Sequence, residues 1–426
     1  MPVGQNNNAA SSMRQGQLGL GGDNTQRKRA ARQAAAGLGA RQQRMIWPRS
    51  AASRVLVGHQ FVSELSGLEK TRMQGEQSET VKYRIFAGTW NVGGMAPPDD
   101  LSLEDWMDTK TDSYDIYVLG FQEMVPLNAR SVLGPKQRRA AMKWQLLIGD
   151  ALNNRRHGDG AAAMHDQGGQ GGLFRCLMSK QMVGIFVSVW TRSNLRRHVR
   201  HPGVSSVGAG VLGRLGNKGA VSVRFLLHGT SFCFVCCHLA SGGEDGNALR
   251  RNADAAGILS RTSFVRSGGA PAAPDELPKK ILGHDSVVLF GDLNYRISMD
   301  DDDEARQLVR ARKWSMLLEN DELLLELSKG RQFDGWHEGH VTFAPTYKYR
   351  RNSDQFYWCA VDGVATGRPE KQHRHRAPAW CDRILWRGKG MKQVRYERCG
   401  GYRLSDHRPV RAVFHVVCEL AEGVDG

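Results

Sequence analysis

The chain has 426 residues, a 40% hydrophobic share with ten tryptophans, and a formal net charge of +16. That is ample for a sizeable core in one large domain or two ordinary ones. No apolar run approaches the ~18 residues of a membrane helix, and the opening MPVGQNNNAASSMRQGQ lacks the apolar stretch of a secretory signal. The expectation is an intracellular protein, cytoplasmic with peripheral membrane contact and the nucleus left open.

Residues 1–44 are rich in Gln, Asn, Gly, Ala and Arg without apolar periodicity and are predicted to be disordered. Residues 45–80 form a transition around Trp47-Pro48-Arg49. Residues 1–56 hold nine Lys/Arg against one acid, Asp23, which is about half the excess charge. A basic tail and a basic body suit phosphorylated small molecules, acidic lipid surfaces or nucleic acid, and charge alone does not choose among them.

From Tyr83 onward, short β-rich runs alternate with helical or Gly-rich stretches. The predicted strands are 83–90, 115–121, 182–190, 220–227, 231–237, 285–290 and 410–417. Helical periodicity fits 136–154, 245–262, 303–316 and 319–328, and 155–172, 266–280 and 352–378 read as loops. The acidic run Asp300–Asp303 is expected to open a helix. The order implies an α/β (α+β) domain over 81–418, packed sheets covered by helices, with 1–80 as tail and 419–426 as a C-terminal extension. Of eight cysteines, Cys233 and Cys236 have CxxC spacing inside the apolar run SFCFVCC. Residues three apart on a strand face opposite ways, so buried reduced thiols are expected rather than a metal site.

Several apolar runs finish in residues capable of chemistry. YRIFAGTW ends at Asn91, DIYVLGF runs into Gln122 and Glu123, SFCFVCC delivers His238, and DSVVLF delivers Asp292 and Asn294. Asp382 and the Asp406-His407 pair instead precede strands, which places them beside strand ends in an antiparallel arrangement. Singly, each has an ordinary explanation: Asn91 as a turn former, His238 as a structural imidazole, Asp382 as a surface ion pair with Arg383. Together they can line one rim with hard-cation ligands and imidazoles. Gly208-Ala-Gly210-Val-Leu-Gly213 matches GxGxxG but leads into a strand, not a helix, so no dinucleotide site is expected. No P-loop or zinc motif is present, and His373 and His375 read as a solvated basic loop.

With these motifs assembled, the chain resembles the inositol polyphosphate 5-phosphatases of the endonuclease/exonuclease/phosphatase superfamily, and plant-type members most. VVLFGDLNYRI (287–297) and RAPAWCDRILW (376–386) look like the two signature segments. TWNVGG (89–94), FQEMVPLN (121–128), GRLGNKGAVSVRF (213–225), PTYKYRRNSDQF (345–356) and RLSDHRPV (403–410) support them in order. One departure is Ser241-Gly242-Gly243, where many relatives carry a further histidine.

The resemblance implies a four-layer sandwich of two mixed or antiparallel sheets flanked by helices. It also implies Mg²⁺-dependent removal of the 5-phosphate from inositol polyphosphates or phosphoinositide lipids. Glu123, Asn91 and Asp406 are the expected metal neighbours, since Mg²⁺ takes one or two carboxylates and keeps its waters. Asp292 is expected to orient or deprotonate water, and Asn294 to hold water or a phosphate oxygen. His407 would be charged by Asp382 and donate to phosphoryl oxygens, with His238 donating from another side. Tyr347, Lys348, Arg376 and Lys371 resemble contacts to a neighbouring 4-phosphate, and Asn217 and Lys218 would face the 1-phosphate or the lipid. A nuclease of the same superfamily and an inactive membrane-binding adaptor are the rival readings. PTYKY and PAWCDRIL speak for inositol phosphates and against nucleic acid.

Overall fold

The computed structural model describes residues 79–125, 135–153, 174–209, 217–243, 246–264, 277–299, 301–357 and 377–420. All of them belong to one compact unit, Gln74–Gly426. The basic tail and most of the three predicted loops lie outside the described residues.

Two six-stranded sheets form the body. The first contains β1 (Thr80–Asn91), β2 (Ile116–Gln122), β3 (Phe174–Met182), β4 (Ile185–Arg192), β11 (Met391–Arg398) and β12 (Val410–Glu419), in the order β11-β12-β1-β2-β4-β3. The second contains β5 (Val199–Gly208), β6 (Gly219–Leu227), β7 (Thr230–His238), β8 (Ser286–Asp292), β9 (His337–Glu338) and β10 (Asp382–Arg387), in the order β5-β6-β7-β8-β10-β9. The β1–β2 and β7–β8 pairs are parallel and their neighbours antiparallel, so both sheets are mixed.

Side-chain alternation assigns each strand to two cores. On β7, Phe232, Phe234 and Cys236 face the other sheet, while Cys233, Val235 and Cys237 face outward. The CxxC pair is therefore split between opposite faces, and both thiols are buried and free. The layer between the sheets joins Ile85, Ala87, Val118 and Val187 to Val223, Phe234, Phe290 and Ile384. Helices α1 (Glu104–Met107) and α2 (Pro135–Asn153) cover the first sheet through Trp106, Trp144 and Ile148 against Trp90 and Phe121. Helices α3 (Asn247–Arg261) and α6 (Glu322–Lys329) cover the second through Ile258 and Leu323. The result is the expected four-layer sandwich.

Two predicted elements break. The strand read as 182–190 is interrupted by a two-residue turn at Val183-Gly184, where Val183 has φ +52°, so β3 and β4 form a hairpin. The helix read as 303–316 divides into α4 (Asp302–Arg310) and α5 (Trp314–Leu318), because Arg312 enters the left-handed region at φ +54°. The acidic run does open α4: the Asp301 side chain accepts hydrogen bonds from the Asp303 and Glu304 amides.

Candidate active site

Strand register brings the chemistry together. In the first sheet, Asn91 lies beside Gln122 on the parallel β1–β2 pair. In the second, Asp292 lies between His238 on one side and Asp382 on the other. Asp382 starts its antiparallel strand where Asp292 ends its own, as the sequence order requires.

Side chains then join the two sheets. Asn91 Nδ2 donates to Asp292 Oδ2 at 2.8 Å and to Glu123 Oε1 at 3.2 Å, while its Oδ1 accepts from the Gly93 amide at 3.0 Å. His238 Nε2 lies 3.2 Å from Asp292 and 3.8 Å from Glu123. Glu123 itself follows the end of β2 with φ +52°, a conformation costing a non-glycine residue roughly 1–2 kcal/mol. Its carboxylate stays 31% accessible while Asp292 is 1%, so Glu123 is the open edge of the cluster.

His407 Nδ1 donates to Asp382 Oδ2 at 2.9 Å, and Thr346 Oγ1 donates to the same oxygen at 2.7 Å. Tautomer and ring direction are thereby fixed, leaving His407 Nε2 4.0 Å from Asp292. Burial alone would discharge this imidazole, yet the Asp382 and Asp292 carboxylates outweigh it and push its pKa up to about 9. Burial likewise disfavours the Asp292 anion, but His407, His238 and Lys218 hold its pKa below the ordinary range. Asp292 is thus a carboxylate and His407 an imidazolium at neutral pH. His238 is driven the other way, toward neutrality, by burial and then by Lys218.

The structure places four of these residues differently from the sequence reading. Lys218 does not face outward to a distal phosphate: its ammonium lies against His238 Nε2, among the charges of Asp292 and Glu123. Asn294 is not on extended backbone; at φ +59° it turns so that its amide N–H donates to Asp292 Oδ1 at 3.1 Å. Its side chain is held at both ends, Oδ1 accepting from Arg296 at 2.7 Å and Nδ2 donating to the Leu239 carbonyl at 3.1 Å. Asp406 gives its carboxylate to Lys348 at 2.6 Å and joins neither acid–imidazole group, Glu123/His238/Asp292 or Asp292/Asp382/His407. Asp382 is no surface partner of Arg383 either: both are buried, and Arg383 instead binds Asp321 and Glu338.

Tyr347 sits over His407 with ring centroids 4.6 Å apart, and Lys348 Nζ lies 5.0 Å from the Tyr347 ring. Asn217 occupies the turn before β6, next to Lys218. Arg376 and Lys371 lie outside the described residues. The Ser241-Gly242-Gly243 departure is braced by Arg251, which donates to the Gly242 carbonyl at 2.9 Å.

Sequence reasoning missed two residues. Arg296, whose guanidinium stacks 4.5 Å from Tyr347, orients Asn294; the cation two positions beyond Asn294 in GDLNYR was its only signal. Ser405 donates to the Asn91 carbonyl at 2.6 Å and accepts from the His407 amide at 3.1 Å, clamping the SDHRPV turn to β1.

The family model described as Endonuclease/Exonuclease/phosphatase family 2 matches residues 88–413. The type IV inositol polyphosphate 5-phosphatase 9 of Arabidopsis thaliana is 47% identical over 392 residues, covering 87% of this chain and 91% of the relative. The chain belongs to the inositol polyphosphate 5-phosphatase family. A second family member, the type I inositol polyphosphate 5-phosphatase 8 of Arabidopsis thaliana, is 45% identical, covering 81% of this chain and 74% of the relative. Among solved structures, the 5-phosphatase domain of SPsynaptojanin, crystallised with inositol (1,4)-bisphosphate and calcium ion, aligns with a TM-score of 0.63 at 30% identity. That alignment covers 81% of this chain and 87% of that one. Membership makes the chain an enzyme, a hydrolase of the endonuclease/exonuclease/phosphatase superfamily, and sets aside the adaptor reading.

Proposed function

We propose that the chain hydrolyses the 5-phosphate of inositol polyphosphates, lipid-linked forms included, with Mg²⁺ as cofactor. The observation that carries this is the convergence of Glu123, His238, Asp292, Asp382 and His407 at one rim, with Tyr347 stacked on His407 and Lys348 beside that ring. The names of the relatives and the inositol bisphosphate bound by the synaptojanin domain support the substrate class.

Asp292, held as a carboxylate by His407, His238 and Lys218, orients or deprotonates the attacking water, with Asn91 and the Asn294 amide fixing its two oxygens. As the water oxygen bonds to phosphorus and the phosphorus–inositol oxygen bond breaks, charge spreads over the phosphoryl oxygens. His407 Nε2–H stands ready to donate to them, and being charged in the resting state it needs no proton transfer first. Lys218 lies beside His238, where burial lowers its pKa and the Asp292 and Glu123 carboxylates favour its charged form.

The donor set fits a hard divalent ion: Glu123 offers an accessible carboxylate, with Asn91, His238 and Asp292 beside it. Glu123, with Asn91 alongside, would hold Mg²⁺, and a bound ion supplies further neutralisation of the phosphoryl charge. Lys348 and Tyr347, with Arg296 behind them, suit a second phosphate on the ring.

A phosphate-release panel tests the proposal. Inositol 1,4,5-trisphosphate, inositol 1,3,4,5-tetrakisphosphate and phosphatidylinositol 4,5-bisphosphate should release phosphate only with Mg²⁺, and Asp292→Asn should lose about a hundredfold or more in kcat. Turnover of abasic DNA in place of all three would overturn it.

A further inference from the structure

We propose a second ligand site, distinct from the catalytic rim, for a planar ring carrying phosphate, of the nucleoside diphosphate class. It is a cavity of about 670 Å³ whose walls include Trp314, Phe356, Tyr349, Arg312, Arg398 and Arg403. None of the acid–imidazole cluster lines it. Its volume lies in the range of small-molecule and cofactor sites.

Charge is the first argument. Asp354 is the one carboxylate among the described lining residues, and Arg403 engages it. Arg312 is exposed at the mouth with no partner among the described residues. Arg398 donates only to the neutral Tyr349 hydroxyl, at 2.9 Å, and its buried Nε has no acceptor. Behind the wall, the buried Arg408 stacks 4.0 Å from the Tyr349 ring, and its guanidinium is bonded to backbone carbonyls alone. The cavity wall thus carries three arginines, Arg312, Arg398 and Arg403, against the one carboxylate of Asp354. An arginine set in excess over its single carboxylate suits an anion, and the fork geometry of guanidinium suits phosphate.

The second argument is the aromatic wall. Trp314 and Phe356 are only part-buried, and Tyr349 and Phe356 stack with ring centroids 4.4 Å apart. Inorganic phosphate has no use for such a surface, whereas a flat base does.

The test is titration of ADP into the full chain in the presence of a chelator, followed by tryptophan fluorescence and calorimetry, with pyrophosphate and adenosine in parallel. ADP should bind, with pyrophosphate and adenosine each about tenfold weaker or more. Arg312→Glu, at an exposed position without partners, should weaken ADP about tenfold, and Phe356→Leu should weaken ADP but not pyrophosphate. Lys348→Ala should leave ADP binding intact. Absence of ADP binding, indifference to Arg312→Glu, or loss in Lys348→Ala, which would place ADP in the catalytic pocket, overturns the proposal. Pyrophosphate binding as tightly as ADP overturns the ring.

Discussion

At Asp382 one carboxylate oxygen takes two hydrogen bonds, from Thr346 and from His407, inside a site where water is excluded. Replacing it with Asn keeps the shape and removes the charge that holds His407 protonated. We expect Asp382→Asn to lower kcat by about a hundredfold while leaving KM within a few-fold, read from steady-state kinetics. A structural role alone would move Tm and KM together instead. Residue identity was legible here because hard ligands and imidazoles stood at strand ends. Side-chain direction was not: the left-handed turns at Glu123 and Asn294, and the inward path of Lys218, depend on contacts between strands far apart in sequence. Far from the site, Asp112 shows the same electrostatics with simpler consequences. The Arg84 guanidinium beside it holds its pKa down to about 2, against a weaker opposing effect of burial. An acid with a lowered folded pKa contributes stability that is complete above its ordinary value near 3.8 and vanishes as pH falls through about 2. Asp112→Asn should therefore lower Tm at pH 6, by a modest amount given its partial exposure, with a smaller effect at pH 2 and none well below it.

Among the elements, β2 is tightly constrained at Gly120. A Cβ at Gly120 would meet Phe290 at 2.5 Å and Cys236 Sγ at 2.7 Å, both across the sheet interface. Gly120 also stands two residues before Gln122, and Phe290 and Cys236 stand two residues before Asp292 and His238. The absence of a side chain thus sets the spacing between the sheets just beneath the rim. Gly120→Val should destabilise the fold by about 1–3 kcal/mol in denaturant unfolding, as overpacking does. It should also cost more activity than a comparable cavity variant such as Ile258→Val, because it separates Asn91 and Glu123 from Asp292. Most central strands were legible as continuous apolar runs, whereas β10, between β8 and β9, was anticipated only as a strand following Asp382. The strands β3, β5 and β11 were not, since each lies at a sheet edge with one or both faces wet and carries Arg, Lys or His in place of an apolar run.

The whole molecule divides its charge unevenly, and this gives a prediction at the largest scale. Residues 1–56 carry nine Lys/Arg and one acid within a chain of net charge +16. The catalytic rim, meanwhile, spends its cations locally: Lys218 faces His238 and Lys348 is bound to Asp406. The N-terminal segment, with about half of the excess charge in 56 residues, is then suited to long-range attraction to an anionic surface, where each nearby Lys or Arg contributes about 1 kcal/mol at most. We propose that the segment recruits the enzyme to acidic membranes. Deleting residues 1–56 should weaken sedimentation with phosphatidylserine vesicles at low salt and flatten its dependence on ionic strength. The difference should shrink toward roughly 0.15 M, where screening acts over about 8 Å. Turnover of a water-soluble inositol trisphosphate should be unaffected by the deletion, because no residue of the acid–imidazole cluster belongs to that segment. Equal vesicle binding and equal salt dependence in both proteins would assign any membrane affinity to the folded body.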